Sequence, residues 1–268
     1  MMIEKNIIRD IQLIQLEMMK ELHILCEKNN LQYFLCEGSL LGAIRHHGFI
    51  PWDDDLDIVM PRDDYIKLIN ILKKNCISGC YLDCYETNSN FWLPFAKIRK
   101  KNTVYKEEAA KFLNDSKCGI WIDIFPLDYS KKGVSMKNKI KKIIVESIKY
   151  RLQINNLKMP LNCFSRRWIP LIIIWGIFSD KRLKVIQNYV MQYKSVNKNF
   201  YINYASTYGI EKVSNPINYY KSILVDFEDT KLYIPSNFDI MLKKVYGNYM
   251  EIPPIEKRNN HSAIKIKY

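Results

Sequence analysis

The most constraining feature of this chain is an acidic run that enters an apolar one, Trp52-Asp53-Asp54-Asp55-Leu56-Asp57-Ile58-Val59-Met60-Pro61. Ile58, Val59 and Met60, closed by Pro61, read as a buried strand. Carboxylates at the mouth of such a strand are costly, because burial disfavours charge and neighbouring like charges repel. Side chains alternate along a strand, so Asp53, Asp55 and Asp57 share one face while Leu56 and Ile58 share the other. Asp54 points elsewhere on this reading and offers a control position. The pair Asp55 and Asp57 needs a source of positive charge. All-oxygen ligation favours Mg²⁺, or Mn²⁺, over zinc. The plainer alternative is an acidic surface turn with no ligand.

A second acid sits in an equally apolar setting. Asp123 lies within Gly119-Ile120-Trp121-Ile122-Asp123-Ile124-Phe125-Pro126, expected to be a strand buried on both faces and ended by Pro126. An unpaired carboxylate there is unfavourable, so Asp123 needs a partner. It reads as a third ligand of the same metal, or as a general base toward an incoming hydroxyl. A satisfied hydrogen bond in the core is the other explanation. Upstream, Gly38-Ser39 falls at an expected strand-to-helix turn, with Ser39 as N-cap, where free amides can receive a phosphate. Lys97 and Arg99 alternate onto one face of Phe95-Ala96-Lys97-Ile98-Arg99 and would neutralise phosphate charge. A glycine-serine turn, a paired-acid strand and a third acid on a later strand make a nucleotidyltransferase-type plan for phosphoryl chemistry.

The rest of the pattern frames these motifs. Apolar residues at 7, 11, 14, 18, 22 and 25 predict an amphipathic helix over residues 3–29. Short strands and helices then alternate through the acidic motifs. The pattern turns helical and basic from Val134 to about Asn199, and a hairpin over Ser222–Pro235 precedes a last helix. The expected fold class is α+β: a mixed β-sheet flanked by helices, with a helical insertion. One domain is expected, its catalytic core at about 28–130 and 200–255 and its insertion at about 131–199.

The 41 Lys and Arg against 28 Asp and Glu give a formal net charge of +13, which attracts polyanions. A basic nucleic-acid-binding module would use such charge. However, no reader motif organises it, and clustered aspartates repel phosphates without a metal, so no nucleic acid is expected. The seven cysteines, odd in number and scattered, read as reduced thiols of a cytoplasmic protein rather than a disulfide framework. A zinc site at Cys76, Cys80 and Cys84 would lack a fourth ligand. The N-terminal segment has no signal-peptide pattern. The greasiest stretch, Trp168 to Phe178, is shorter than the about 20 residues that span a bilayer. With Arg166 and Arg167 before it, it could touch the inner face of a membrane, although a buried helix is the commoner outcome.

The stretch from Gly38 to Tyr65 closely resembles the central motif of the LicD family, related to the fukutin-type transferases. Trp92–Tyr105, Gly119–Asp128 and Leu232–Pro254 resemble its later motifs in the same order. The resemblance implies a nucleotidyltransferase-like fold and transfer of a phospho-substituent from a CDP-activated donor to a sugar hydroxyl of a surface glycan. Phosphocholine from CDP-choline, placed on teichoic acid, lipopolysaccharide or capsule, is the typical bacterial case. It further implies that Asp55 and Asp57 hold Mg²⁺, that Asp123 completes the site, and that Gly38 and Ser39 meet donor phosphates. Arg45, within the central motif, joins Lys97 and Arg99 as a substrate-binding candidate. Two positions depart from the family pattern: Asn248 where Asp is frequent, and His47 where Lys is common.

Overall fold

The computed structural model describes residues 5–192, 198–258 and 263–268. The amphipathic pattern at the start becomes helix α1 (Lys5–Lys28), which buries Ile11, Met18 and Leu22. Strand β1 (Phe34–Leu35) leads into helix α2 (Glu37–His46), and the acidic motif opens strand β2 (Asp57–Pro61). Helix α3 (Arg62–Lys74) carries Asp63 and Asp64 in its first turn, where the helix dipole favours acids. Strands β3 (Cys80–Asp83), β4 (Ala96–Lys100), β5 (Val104–Glu107) and β6 (Trp121–Ser130) follow.

The basic middle of the chain forms helices α4 (Met136–Leu157), α5 (Ile169–Ile174) and α6 (Asp180–Met191). Strand β7 (Phe200–Ile202), helix α7 (Ile210–Val213) and strand β8 (Ser214–Pro216) return the chain to the sheet. The expected hairpin is β9 (Ser222–Phe227) with β10 (Thr230–Pro235), paired antiparallel. Helix α8 (Phe238–Tyr246) follows, and β11 (Ala263–Lys267) pairs with β5.

The main sheet runs in the order β1-β2-β6-β4-β3, with β7 paired to β6 and β8 to β7. Strands β2 and β6 are parallel and the other pairs antiparallel, so the fold is α+β with a mixed sheet. The period of two along each strand sorts its two faces. Ile58, Met60, Ile98, Ile122 and Ile124 enter the main core with Leu22 of α1 and Leu68 of α3. Asp57, Lys97 and Asp123 alternate with these residues and emerge on the opposite face.

Two local expectations need correction. Helix α2 begins at Glu37 rather than Ser39, its N-cap is Cys36, and no side chain caps it. Strand β6 does not end at Pro126 but continues to Ser130. Pro126 falls between Ile124, the last residue paired to β4, and Asp128, the first paired to β7. A missing N–H costs little where that neighbour is absent.

Candidate active site

The register of the central strands builds the site. Asp57 of β2 lies beside Asp123 of β6, and Asp123 lies beside Lys97 of β4. The Lys97 ammonium reaches both carboxylate oxygens of Asp123, at 2.7 and 2.9 Å, in a pair that is largely buried. It also stands 4.2 Å over the Trp121 ring, whose π-face favours a cation. Arg99 faces the same way but is committed elsewhere. Its Nε donates to Asp83 at 2.9 Å and its Nη1 to the Gly119 carbonyl at 3.0 Å. Both cations of the β4 face are therefore buried in ion pairs rather than spread on a solvated edge.

The acids upstream of β2 occupy a loop, not a strand, since β2 begins at Asp57. Two buried glutamines of α1 clamp that loop. Gln12 Nε2 donates to the carbonyls of Ile50 and Asp53 at 3.0 and 2.8 Å. Gln15 Nε2 donates to those of Asp54 and Trp121, both at 3.0 Å, tying the loop to β6. Ser39 Oγ accepts the Asp57 N–H at 2.8 Å, which pins α2 to the start of β2. Its hydroxyl is buried in that task. Asp54 is 1% exposed and accepts a hydrogen bond from the Tyr105 hydroxyl. It is an interior structural acid and makes a poor control position.

Carboxylate oxygens of Asp53, Asp54 and Asp55 come within 4.8 Å of one another. Asp55 and Asp57 line a cleft of about 770 Å³ together with Asp53, Asp123 and Glu37. A volume of this size suits a nucleotide-sized ligand. Gly38 lies close under the acidic loop: a Cβ there would stand 2.7 Å from Asp53 Oδ2 and push that carboxylate aside. Burial, then Asp55, Asp123, Glu37 and Asp53, hold the Asp57 carboxyl well above the ordinary carboxylate range. Asp57 Oδ1 is buried and has no hydrogen-bond partner. A buried, unmatched carboxylate oxygen among several other carboxylates is the environment that a hard divalent cation satisfies. An all-oxygen donor set of this kind fits Mg²⁺ or Mn²⁺ rather than zinc.

Glu37 was not singled out in the sequence reading. It adopts φ 49°, a left-handed conformation that is strained for a residue with a side chain. Ser206 Oγ donates to its carboxylate at 2.6 Å, and Lys142 Nζ donates to the Ser206 carbonyl at 2.5 Å. Burial, against the Ser206 hydrogen bond, pushes the Glu37 carboxyl up to about 7. The signal available in the sequence was weak: an acid between a buried strand and Gly38. Its partner lies 169 positions away.

The remaining candidates divide. Arg45 lines the cleft, and its Nη1 donates to the carbonyls of Tyr249 and Glu251 at 2.8 and 3.1 Å, anchoring the segment after α8. Asn248 also lines the cleft. His47, in the left-handed region at φ 53°, caps α2 and accepts from Glu228 N–H at 2.7 Å through its carbonyl. His261 lies outside the described residues. The seven cysteines are free thiols. Among the described residues, Asp53, Asp54 and Asp55 make the cluster with metal-binding spacing, and the cysteines make none. No helix among these residues is long and apolar enough to cross a membrane.

Residues 30–151 match the LicD/FKTN/FKRP nucleotidyltransferase-domain family. The lipopolysaccharide cholinephosphotransferase LicD of Haemophilus influenzae is 26% identical over 96% of this chain and 97% of its own length. Uncharacterised proteins of Rickettsia prowazekii and Rickettsia typhi are 52% and 50% identical, each over 21% of this chain. They are matched over 21% and 18% of their own lengths.

Proposed function

We propose that this chain, whose residues 30–151 match the LicD/FKTN/FKRP nucleotidyltransferase-domain family, is a transferase that moves a phospho-alcohol group from a CDP-linked donor to a sugar hydroxyl of a bacterial cell-surface glycan, releasing CMP. Phosphocholine is the transferred group that the Haemophilus relative's name favours. The observation that carries the reading is the convergence of Asp55, Asp57 and Asp123 in one cleft, with Asp57 Oδ1 buried and unmatched.

A bound Mg²⁺ supplies positive charge to phosphate oxygens and to the departing nucleotide. Asp55, Asp57 and Asp123 would hold it. The chain's own residues do the rest. The Gln12 and Gln15 clamps fix the carbonyls of the acidic loop, so the carboxylates are oriented before substrate arrives. Lys97 holds Asp123 in place and adds a cation beside the phosphates. Tyr208 and Tyr246, edge to face at 6.1 Å, line the cleft and offer ring faces to a quaternary ammonium.

The acceptor hydroxyl attacks the phosphorus that bears the alcohol. The new oxygen–phosphorus bond forms as the bond to the CMP oxygen breaks. Glu37, poised near neutral pH within the cleft, accepts the hydroxyl proton.

The test is CMP release with Mg²⁺ and a native glycan acceptor, using CDP-choline, CDP-ethanolamine, CDP-glycerol and CDP-ribitol in parallel. Acceptor-dependent CMP from CDP-choline, with the phosphocholine recovered on the glycan, is the expected result. Preference for another CDP-alcohol would reassign the donor and keep the reaction. A nucleotide-capped product with release of pyrophosphate would replace it with nucleotidyl transfer.

A further inference from the structure

The charge of this protein is not spread evenly. Residues 131–199 hold sixteen Lys and Arg against two Asp and Glu, a net +14. The other residues therefore sum to −1 of the total +13. The same basic segment carries the greasiest stretch of the chain, in α5 and the 3₁₀ turn Trp175–Ile177 that continues it. This short helical piece is apolar on both sides. Inward, Ile172 is fully buried, and Trp175 Nε1 donates to Ser147 Oγ of α4 at 2.8 Å.

Outward lie Pro170, Ile173, Ile174 and Ile177, at the i, i+3, i+4, i+7 spacing of one helix face. Ile173, Ile174 and Ile177 are 58%, 55% and 77% exposed. Burial in the core, the commoner outcome for such a stretch, is thus true of only half of it. Arg166 and Arg167 before the helix and Lys181 and Arg182 after it are exposed as well.

An apolar stripe bordered by basic side chains is the pattern of a helix that lies in a bilayer interface. The charge also selects the occupant. A second copy meeting this face would bring two strongly basic surfaces together, and a neutral partner would leave the basic border unused. An anionic lipid surface satisfies both the isoleucines and the cations.

We propose that the outer face of α5 and the turn after it docks on an anionic bilayer, with Ile173, Ile174 and Ile177 seated among the lipid headgroups and upper acyl chains. The inference is independent of the reaction catalysed. It does give the cleft an orientation. Helix α4 holds Trp175 through Ser147 and also lines the cleft with Lys149, Gln153 and Leu157. One helix thereby links the docking face to the substrate cleft.

Co-sedimentation of the full chain with vesicles tests this, using phosphatidylcholine alone and phosphatidylcholine mixed with phosphatidylglycerol. Binding at least tenfold stronger to the anionic vesicles is expected, falling with added salt. The triple variant Ile173→Ser/Ile174→Ser/Ile177→Ser should lose tenfold or more of that binding and keep the melting temperature of the parent. A second reporter is Ile177→Trp, whose added emission should shift to the blue on anionic vesicles. The proposal is overturned if the parent ignores anionic vesicles, or if the triple variant binds them as the parent does. It is equally overturned if the parent is a dimer in solution that the triple variant dissociates, because the face would then be a contact between protein copies.

Discussion

The cleft floor and the helical segment at 131–199 handle charge in opposite ways. At the cleft floor, Asp53, Asp55, Asp57, Asp123 and Glu37 are crowded together, and burial with mutual repulsion holds the Asp57 carboxyl high. The acidic loop is held through clamps on its backbone carbonyls, while Lys97 pairs with the Asp123 carboxylate. In the helical segment, sixteen basic residues meet two acids. There much of the positive charge lies at the surface beside an apolar stripe, although Lys142 and Lys184 are buried. One region gathers like charge in the interior, whereas the other carries most of its charge at the surface. The lesson is that a formal +13 says little about function until the fold separates it into its parts.

The sharpest way to break the comparison is to remove one stored charge. Asp57→Asn should lower turnover on the order of 10³-fold, as expected for loss of a group that organises transition-state charge. The metal-free variant should nevertheless melt higher than the parent, because its amide is free of the repulsion that burdens Asp57. Parallel CMP-release and thermal-melt measurements check this. Parent-like turnover would remove Asp57 from the chemistry.

Lys97→Met tests the cation that pairs with Asp123 on the floor. Breaking a buried ion pair by removing one partner typically costs about 3–5 kcal/mol, and denaturant unfolding should show a loss of that order. Addition of Mg²⁺ should recover part of it, since the ion can supply the charge that Asp123 has lost. A basic residue of the other region, such as Arg182, should give no comparable loss when replaced by methionine.

The smallest effect is a pH dependence. The Glu37 carboxyl sits at about 7 in the folded chain against an ordinary 4.5. Its folded value is raised, so its contribution is fully present below pH 4.5 and is lost as pH rises through 7. The loss amounts to at most about 3 kcal/mol, and Asp57, raised for similar reasons, acts in the same direction. Metal-free protein should therefore lose stability from pH 5 to pH 8, and Glu37→Gln should flatten that slope. A parent without such a slope would mean that Glu37 is better solvated than its burial indicates.

Much of the frame was legible in the sequence. The alternation of Asp57 with Ile58, and of Lys97 with Ile98, is a strand signal that needs no partner to read. The hairpin over Ser222–Pro235 and the amphipathic helix α1 are equally local, and the structure follows them. Local reading failed where a residue's task depends on something distant. Ser39 looked like a helix cap, but its hydroxyl serves the Asp57 amide. Asp54 looked like a spare acid, yet Tyr105 binds it in the interior. Gln12 and Gln15 carry no local signal of their task, which is to hold the acidic loop.

By itself the sequence determined which residues could share a face, because strand and helix periods are properties of the backbone. It also determined the chemistry on offer: oxygen ligands, two cations on one strand, and a basic segment with a greasy stretch inside it. Only the tertiary structure decided which strands would be neighbours. The parallel register of Asp57 with Asp123, and the 169-residue reach from Ser206 to Glu37, come from packing the sheet and closing long loops. No local preference encodes such closures. The same packing turned Ile172 inward and left Ile173, Ile174 and Ile177 outside, because a thin helix resting on α4 has only one side to bury.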